Sequence, residues 1–165
     1  WSTAGRCAGE GVGSMSDSDD IEAIRALIHE YAFRLDAGDL DGVAALFEHA
    51  ELGSSVRPER MRGAAEARGY YNGVILYDNG TPCTMHCLTN VTVTIDSGSR
   101  TAAARTYFTV IQAVPDFALQ PIIAGQYRDR FERHAGEWYF LERIIHPDLI
   151  GDLSRHMSPK WIPRA

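Results

Sequence analysis

Residues 21–47, IEAIRALIHEYAFRLDAGDLDGVAALF, constrain the fold more than any other stretch of the chain. Ile21, Ile24, Leu27, Ile28, Tyr31, Ala32 and Leu35 recur at the i, i+3, i+4, i+7 spacing that lines one face of an amphipathic helix. Such a helix has to lay its apolar stripe on a second layer. Asp19 or Asp20 can cap its start, and Gly38 can supply the left-handed residue that ends it, which leaves Asp36 in the last turn. A carboxylate sits badly there, because the C-terminal end of the helix dipole is negative and an acid beside it costs roughly 0.3–1 kcal/mol. Helix chemistry therefore gives no reason for Asp36. It does give one for Asp39, as the N-cap of a second short helix over residues 40–47.

At 165 residues, 45% of them apolar, the chain suits one domain that buries roughly two thirds of its unfolded surface. A net charge of −6 and a single lysine, Lys160, argue against a nucleic-acid partner, whose phosphates call for clustered cations. No apolar run approaches the ~18 residues of a membrane span. Cys7, Cys83 and Cys87 make no even disulfide framework, so reduced thiols and a cytoplasmic location are expected. Residues 1–17 read as a disordered leader or cloning remnant without the apolar core of a signal peptide, 18–157 as the domain, and 158–165 as a mobile tail.

Further along, 49–55 is plausibly extended, and a polar, Arg-rich loop leads to a third helix over 64–76 that can turn Tyr70 and Tyr71 toward a cavity. Turn signals at 78–82, 96–99 and 135–136, with an irregular link between Pro115 and Pro121, separate four strands at 83–95, 100–114, 122–134 and 137–146. Residues 149–157 suit a short closing helix. The expected fold is α+β: a cone-shaped, curved antiparallel sheet covered by three N-terminal helices and enclosing a pocket. In the first long strand, alternation puts Thr84, His86, Leu88 and Asn90 on one face and Cys83, Met85, Cys87, Thr89 and Val91 on the other. The two cysteines thus point away from His86, which speaks against a zinc site there. No phosphate loop or nucleotide fingerprint occurs, so no cofactor and no metal is expected.

A long first helix carrying Tyr31, Asp36 and Asp39, followed by Val43, Leu46 and Phe47, resembles the SnoaL-like family of the nuclear-transport-factor-2-like superfamily. The order of helices and strands keeps the resemblance through about residue 147. Members include scytalone dehydratase, bile acid 7α-dehydratase, hexachlorocyclohexane dehydrochlorinase, ketosteroid isomerase and polyketide cyclases, so the fold alone does not give the reaction. The resemblance implies that Asp36 pairs with His86, a histidine being the side chain suited to take a proton near neutral pH. It also implies that Tyr31 is a polar pocket residue and that Arg143, expected to share a strand face with Tyr139 and Leu141, binds an anionic part of the substrate. Tyr70, Tyr107 and Tyr127 complete the expected substrate-binding set. The chain departs from scytalone dehydratase in lacking its second strand histidine and asparagine, and Asp129 is the nearest counterpart of the acid that defines ketosteroid isomerase. His29, His49, His134, His146 and His156 are left without a role.

What the resemblance implies is a cofactor-free lyase of the dehydratase kind, or an isomerase or cyclase, acting on a small, mostly apolar cyclic substrate. The competing class is a non-catalytic ligand-binding or structural subunit with the same fold. Val91, Val93, Ile95, Phe108 and Val110, expected on the outer face of the sheet, would leave an apolar patch there, so a homo-oligomer, trimer or dimer, is expected.

Overall fold

The computed structural model describes residues 16–161 apart from 97 and 99, so the expectations for 1–15 and 162–165 lie outside the described residues. The first helix, α1, spans Asp17–Asp36. Its cap is Ser16, whose hydroxyl accepts from the Asp19 N–H while the Asp19 carboxylate accepts from the Ser16 N–H. The fold thus begins two residues inside the expected leader. Asp20 plays a different part. Buried, it accepts from Trp138 Nε1 at 2.9 Å and Arg133 Nη1 at 3.1 Å, pinning the helix start to the sheet. At the other end Gly38 has φ +76° and lies so close to the Gly80 carbonyl that a Cβ would stand 2.0 Å from its oxygen. Only glycine meets both demands. Asp39 then caps α2, Leu40–Ala45, by accepting from the Gly42 N–H.

Two short strands follow, β1 (Glu51–Ser54) and β2 (Arg60–Arg62), and then α3, Gly63–Tyr70. The third helix is shorter than its periodicity suggests. A single 3₁₀ turn at Tyr71–Gly73 ends it, and the backbone of residues 73–75 instead pairs with the C-terminal segment, through Ser158 N–H to Gly73 O (2.8 Å) and Ile75 N–H to His156 O (2.9 Å). The four long strands are β3 (Thr84–Asp96), β4 (Thr101–Val114), β5 (Phe117–His134) and β6 (Glu137–Ile150). They pair antiparallel in sequence, while β1 joins β6 in parallel. The result is a six-stranded, curved, unclosed mixed sheet of order β2-β1-β6-β5-β4-β3. The expected link between the two prolines is absorbed into β5, where the register shift at Ile122 lets Pro121 sit within a strand. Leu149 and Ile150 extend β6, and 151–157 form an irregular strap rather than a helix.

Two register shifts decide which side chains face the core. In β3, Thr89 pairs with Tyr107 but Thr92 with Arg105, so one extra residue is accommodated at Asn90, which has φ +52°. Thr89 and Asn90 both face out, and Val91, Val93 and Ile95 therefore pack inward against the core. Phe108 and Val110 of β4 are buried on the same inner face. This corrects the reading that placed all five outside, and with it goes the outer apolar patch from which a homo-oligomer was expected. In β6 the shift falls at Leu141, between the pairs Phe131–Phe140 and Arg130–Glu142. Tyr139 accordingly faces solvent while Arg143 turns inward, correcting their expected common face. The core between helices and sheet is filled by Ile24, Ile28, Phe47 and Leu52 against Phe131 and Phe140, with the Phe47 and Phe140 rings stacked at 5.2 Å. No helix among the described residues is long and apolar enough to cross a membrane.

Candidate active site

Because β3 is an edge strand, some of its backbone N–H groups have no neighbouring strand to bond. The His86 N–H is one, and α1 ends beside it so that Asp36 Oδ2 accepts from it at 2.8 Å. The other carboxylate oxygen, Oδ1, lies 2.7 Å from His86 Nδ1 and accepts from Thr84 Oγ1 at 2.8 Å. Three donors thus converge on the one acid that the helix dipole disfavours. Burial by itself raises the Asp36 pKa, but the hydrogen bonds and charge of His86, its backbone N–H and Thr84 outweigh it and hold the carboxyl below its ordinary value. An ionised carboxylate only accepts, so His86 Nδ1 carries the proton of the neutral ring and Nε2 keeps its lone pair. The His86 side chain is 7% exposed and that of Asp36 20%.

His86 and Thr84 form part of the wall of a cavity of about 110 Å³, bounded also by Tyr31, Tyr70, Tyr71, Tyr127, Phe108 and the 151–158 strap. This is small beside the roughly 300–1,000 Å³ usual for ligand pockets. At this size it admits a compact molecule of about one ring. Tyr71 donates to Tyr31 Oη at 2.9 Å, which leaves the Tyr31 proton to offer elsewhere. Burial pushes the Tyr31 pKa up to about 12 and those of Tyr71 and Tyr127 higher than usual, so all three are neutral hydroxyls near pH 7.

Three of the four tyrosines expected in the pocket, Tyr31, Tyr70 and Tyr127, line it. Tyr107 does not. It lies between the inward Thr106 and Phe108, faces out at 40% exposure, and its ring has the Arg105 guanidinium 5.9 Å away. Arg143 is a second correction: it faces inward, yet lies behind the cavity wall rather than in it. Its Nε and Nη2 donate to the two oxygens of Asp129 at 2.8 and 2.6 Å, and its guanidinium carbon stands 4.1 Å from the Tyr31 ring centre and 4.3 Å from that of Tyr127. Burial opposes the Arg143 charge, but the Asp129 carboxylate beside it outweighs that and raises its pKa. The pair backs two pocket tyrosines and reaches no cavity surface.

Thr84 and His156 belong to the site without having been expected in it, whereas Tyr71, read from the sequence as able to face a cavity, lines it. Strand parity shared with His86 signals Thr84. Nothing local signals His156, which comes from a strap without periodicity. Among the described residues no three His, Cys, Asp or Glu side chains converge as a metal-binding group.

Residues 16–144 match the model of the SnoaL-like domain. A comparison with curated proteins gives no significant match. Among solved structures, an NTF2-like protein with a cystatin-like fold from Novosphingobium aromaticivorans is 24% identical, covering 79% of this chain and 83% of its own with a TM-score of 0.66. A candidate scytalone dehydratase from the same organism is 21% identical over 90% of this chain and 97% of its own, TM-score 0.66. ActVI-ORFA from Streptomyces coelicolor is 18% identical over 79% and 98%, TM-score 0.63. At these identities the likeness is one of fold.

Proposed function

The chain belongs to the SnoaL-like family, and from that premise we propose that it is a cofactor-free lyase of the dehydratase kind, acting on a small, mostly apolar cyclic molecule with His86 as general base. One observation carries this reading: the 2.7 Å contact that fixes His86 Nδ1 on an Asp36 carboxylate already held by two further donors. That contact sets the tautomer and orientation of the ring and stabilises the imidazolium formed when Nε2 takes a proton. In the proposed step Nε2 removes a proton from the carbon next to a carbonyl. The C–H electrons become the new C=C bond, the C–O bond to the β-hydroxyl breaks, and the departing hydroxide takes the proton back from the imidazolium to leave as water. The Tyr31 hydroxyl, itself accepting from Tyr71, is a donor suited to the carbonyl oxygen as charge develops on it. Isomerisation or cyclisation would use the same first proton transfer with a different fate for the electrons.

The test is a panel of cyclic β-hydroxyketones, followed by the absorbance of the conjugated enone, with deuterium exchange at the α-carbon in D₂O as a second readout. The expected result is elimination or exchange that depends on His86. If wild-type protein binds such ketones and neither eliminates nor exchanges, the non-catalytic reading takes its place.

A further inference from the structure

The strap at 151–158 is fastened around His156. The His156 N–H donates to Leu153 O at 3.0 Å and its carbonyl accepts from Ile75 N–H at 2.9 Å. One residue earlier, the Arg155 carbonyl accepts from Tyr77 Oη at 2.6 Å and Gln112 Nε2 at 3.0 Å. Leu153, 3% exposed, anchors the strap in the core. The backbone is thus fixed on both sides, and the ring it presents lines the same cavity as His86 and Tyr31. Its Nδ1 is buried and has no hydrogen-bond partner. Four other buried side-chain atoms among the described residues share that state, Arg25 Nε, Thr106 Oγ1, Gln112 Oε1 and Arg143 Nη1, and none of those residues lines the cavity. An unpaired buried polar group costs about 1–3 kcal/mol. A ligand oxygen that came within reach of it on binding would remove that cost.

The charge state suits such a contact. Burial first, and then the neighbouring His86, push the His156 pKa down to about 4, with Asp36 opposing. Near pH 7 the ring is neutral, with one N–H donor and one acceptor lone pair. It can meet either a carbonyl or a hydroxyl, and it adds no second cation beside His86.

We propose that His156 is a further substrate-binding residue: its imidazole hydrogen-bonds an oxygen substituent of the ligand, adding a polar contact to those of His86 and Tyr31 and strengthening the preference of the cavity for oxygenated rings. This rests on the reading of the cavity as a site for a small, mostly apolar cyclic molecule and assigns the side chain that meets one of its oxygen substituents.

Two isosteric probes separate the inference from its premise: p-cresol, which carries one hydroxyl, and p-xylene, which has a methyl group in its place. Binding is measured by calorimetry or ligand-detected NMR. Wild-type protein should favour p-cresol by about 5- to 10-fold, the effect of one net hydrogen bond. His156→Phe keeps a ring of similar size and should lower that preference severalfold while holding p-xylene within about twofold, and His156→Gln should restore part of it. Wild-type protein also gives a readout free of any folding problem in the variants. The ¹⁵N shifts of the His156 ring should move with p-cresol and stay in place with p-xylene. If neither probe binds, the cavity reading falls and this inference with it. If both bind but His156→Phe keeps the wild-type preference for p-cresol, or the His156 ring shifts ignore p-cresol, this inference alone is overturned.

Discussion

Two of the carboxylate–base pairs in this molecule differ in a way that separates a pair able to move a proton from one that only holds its neighbours. Asp129 and Arg143 make a two-point contact with both side chains at 0% exposure, sealed behind Tyr31 and Tyr127. Asp36 meets the His86 ring at a single nitrogen at the cavity wall, with a further ring nitrogen left over. Arginine keeps its proton across the whole working range, so the first pair can only hold its neighbours in place. Histidine gives and takes a proton near neutrality, so the second can act. The resemblance to SnoaL-like proteins suggested a pocket arginine, but the arginine here has been taken up by an acid of its own.

The contrast breaks or sharpens most at His86. His86→Ala should lower turnover by about 10² to 10⁴ with little loss of stability, and Asp36→Asn by a comparable factor. The double variant should be scarcely worse than either, because the two act as a unit. Losses that multiply in steady-state kinetics would mean that the pair does not work together. At the sealed pair the effect should appear in stability instead. Arg143→Met leaves a buried carboxylate unpaired and should cost about 3–5 kcal/mol, read as a lower denaturant midpoint. Adding Asp129→Leu should return much of that, since a buried pair exchanged for apolar side chains is often close to neutral.

A smaller effect should follow pH. His156, facing His86 and Asp36, titrates at about 4 when folded and near 6.5 when unfolded. Between those values the unfolded chain binds the extra proton, so stability should fall as pH drops from about 6.5 to about 4, by roughly 3 kcal/mol at most. His156→Phe should flatten that segment of the curve, measured by chemical denaturation at stepped pH. Smaller again, Tyr71→Phe removes the donor to Tyr31 and should cost about 0.5–1.5 kcal/mol in stability. The smallest change is expected at Tyr107, whose outward ring makes Tyr107→Phe worth within about 0.5 kcal/mol and silent in turnover. A large loss there would return that residue to the pocket.

The Asp36–His86 contact was expected from the family resemblance, and two strong local rules agreed with it. A helix ending at Gly38 left Asp36 without a structural reason, and alternation put Thr84 and His86 on one face before any irregularity intervened. Legibility stopped at the extra residues. Period-two reasoning assumes that no residue is inserted, and Asn90 in β3 and Leu141 in β6 each shift the count by one. Val91, Val93 and Ile95 were lost to the first, and the expected common face of Tyr139 and Arg143 to the second. Tyr107 failed for another reason: nothing in a run of alternating small and large side chains states which parity is inward, and the larger apolar residues Phe108 and Val110 took that side. β1 falls within the stretch read as extended, whereas β2, three residues long, is too short for periodicity to register. His156 owes its place to bonds from Ile75, Tyr77 and Gln112, all far away in sequence.

The kink at Asn90 has a bearing on how the protein keeps to itself. β3, at thirteen residues, is the long open margin of the sheet, and a straight margin of that length offers a row of backbone donors and acceptors to any passing extended chain. The left-handed residue interrupts the row near its middle, and Asp36 claims the His86 N–H in the first half. The opposite margin, β2, is three residues long and carries Arg60 and Arg62. Neither edge presents a long uninterrupted template, so a crowded solution of this protein has little means of growing fibrils by adding strands to its sheet, and the acid that orients the histidine also blunts the sheet against aggregation.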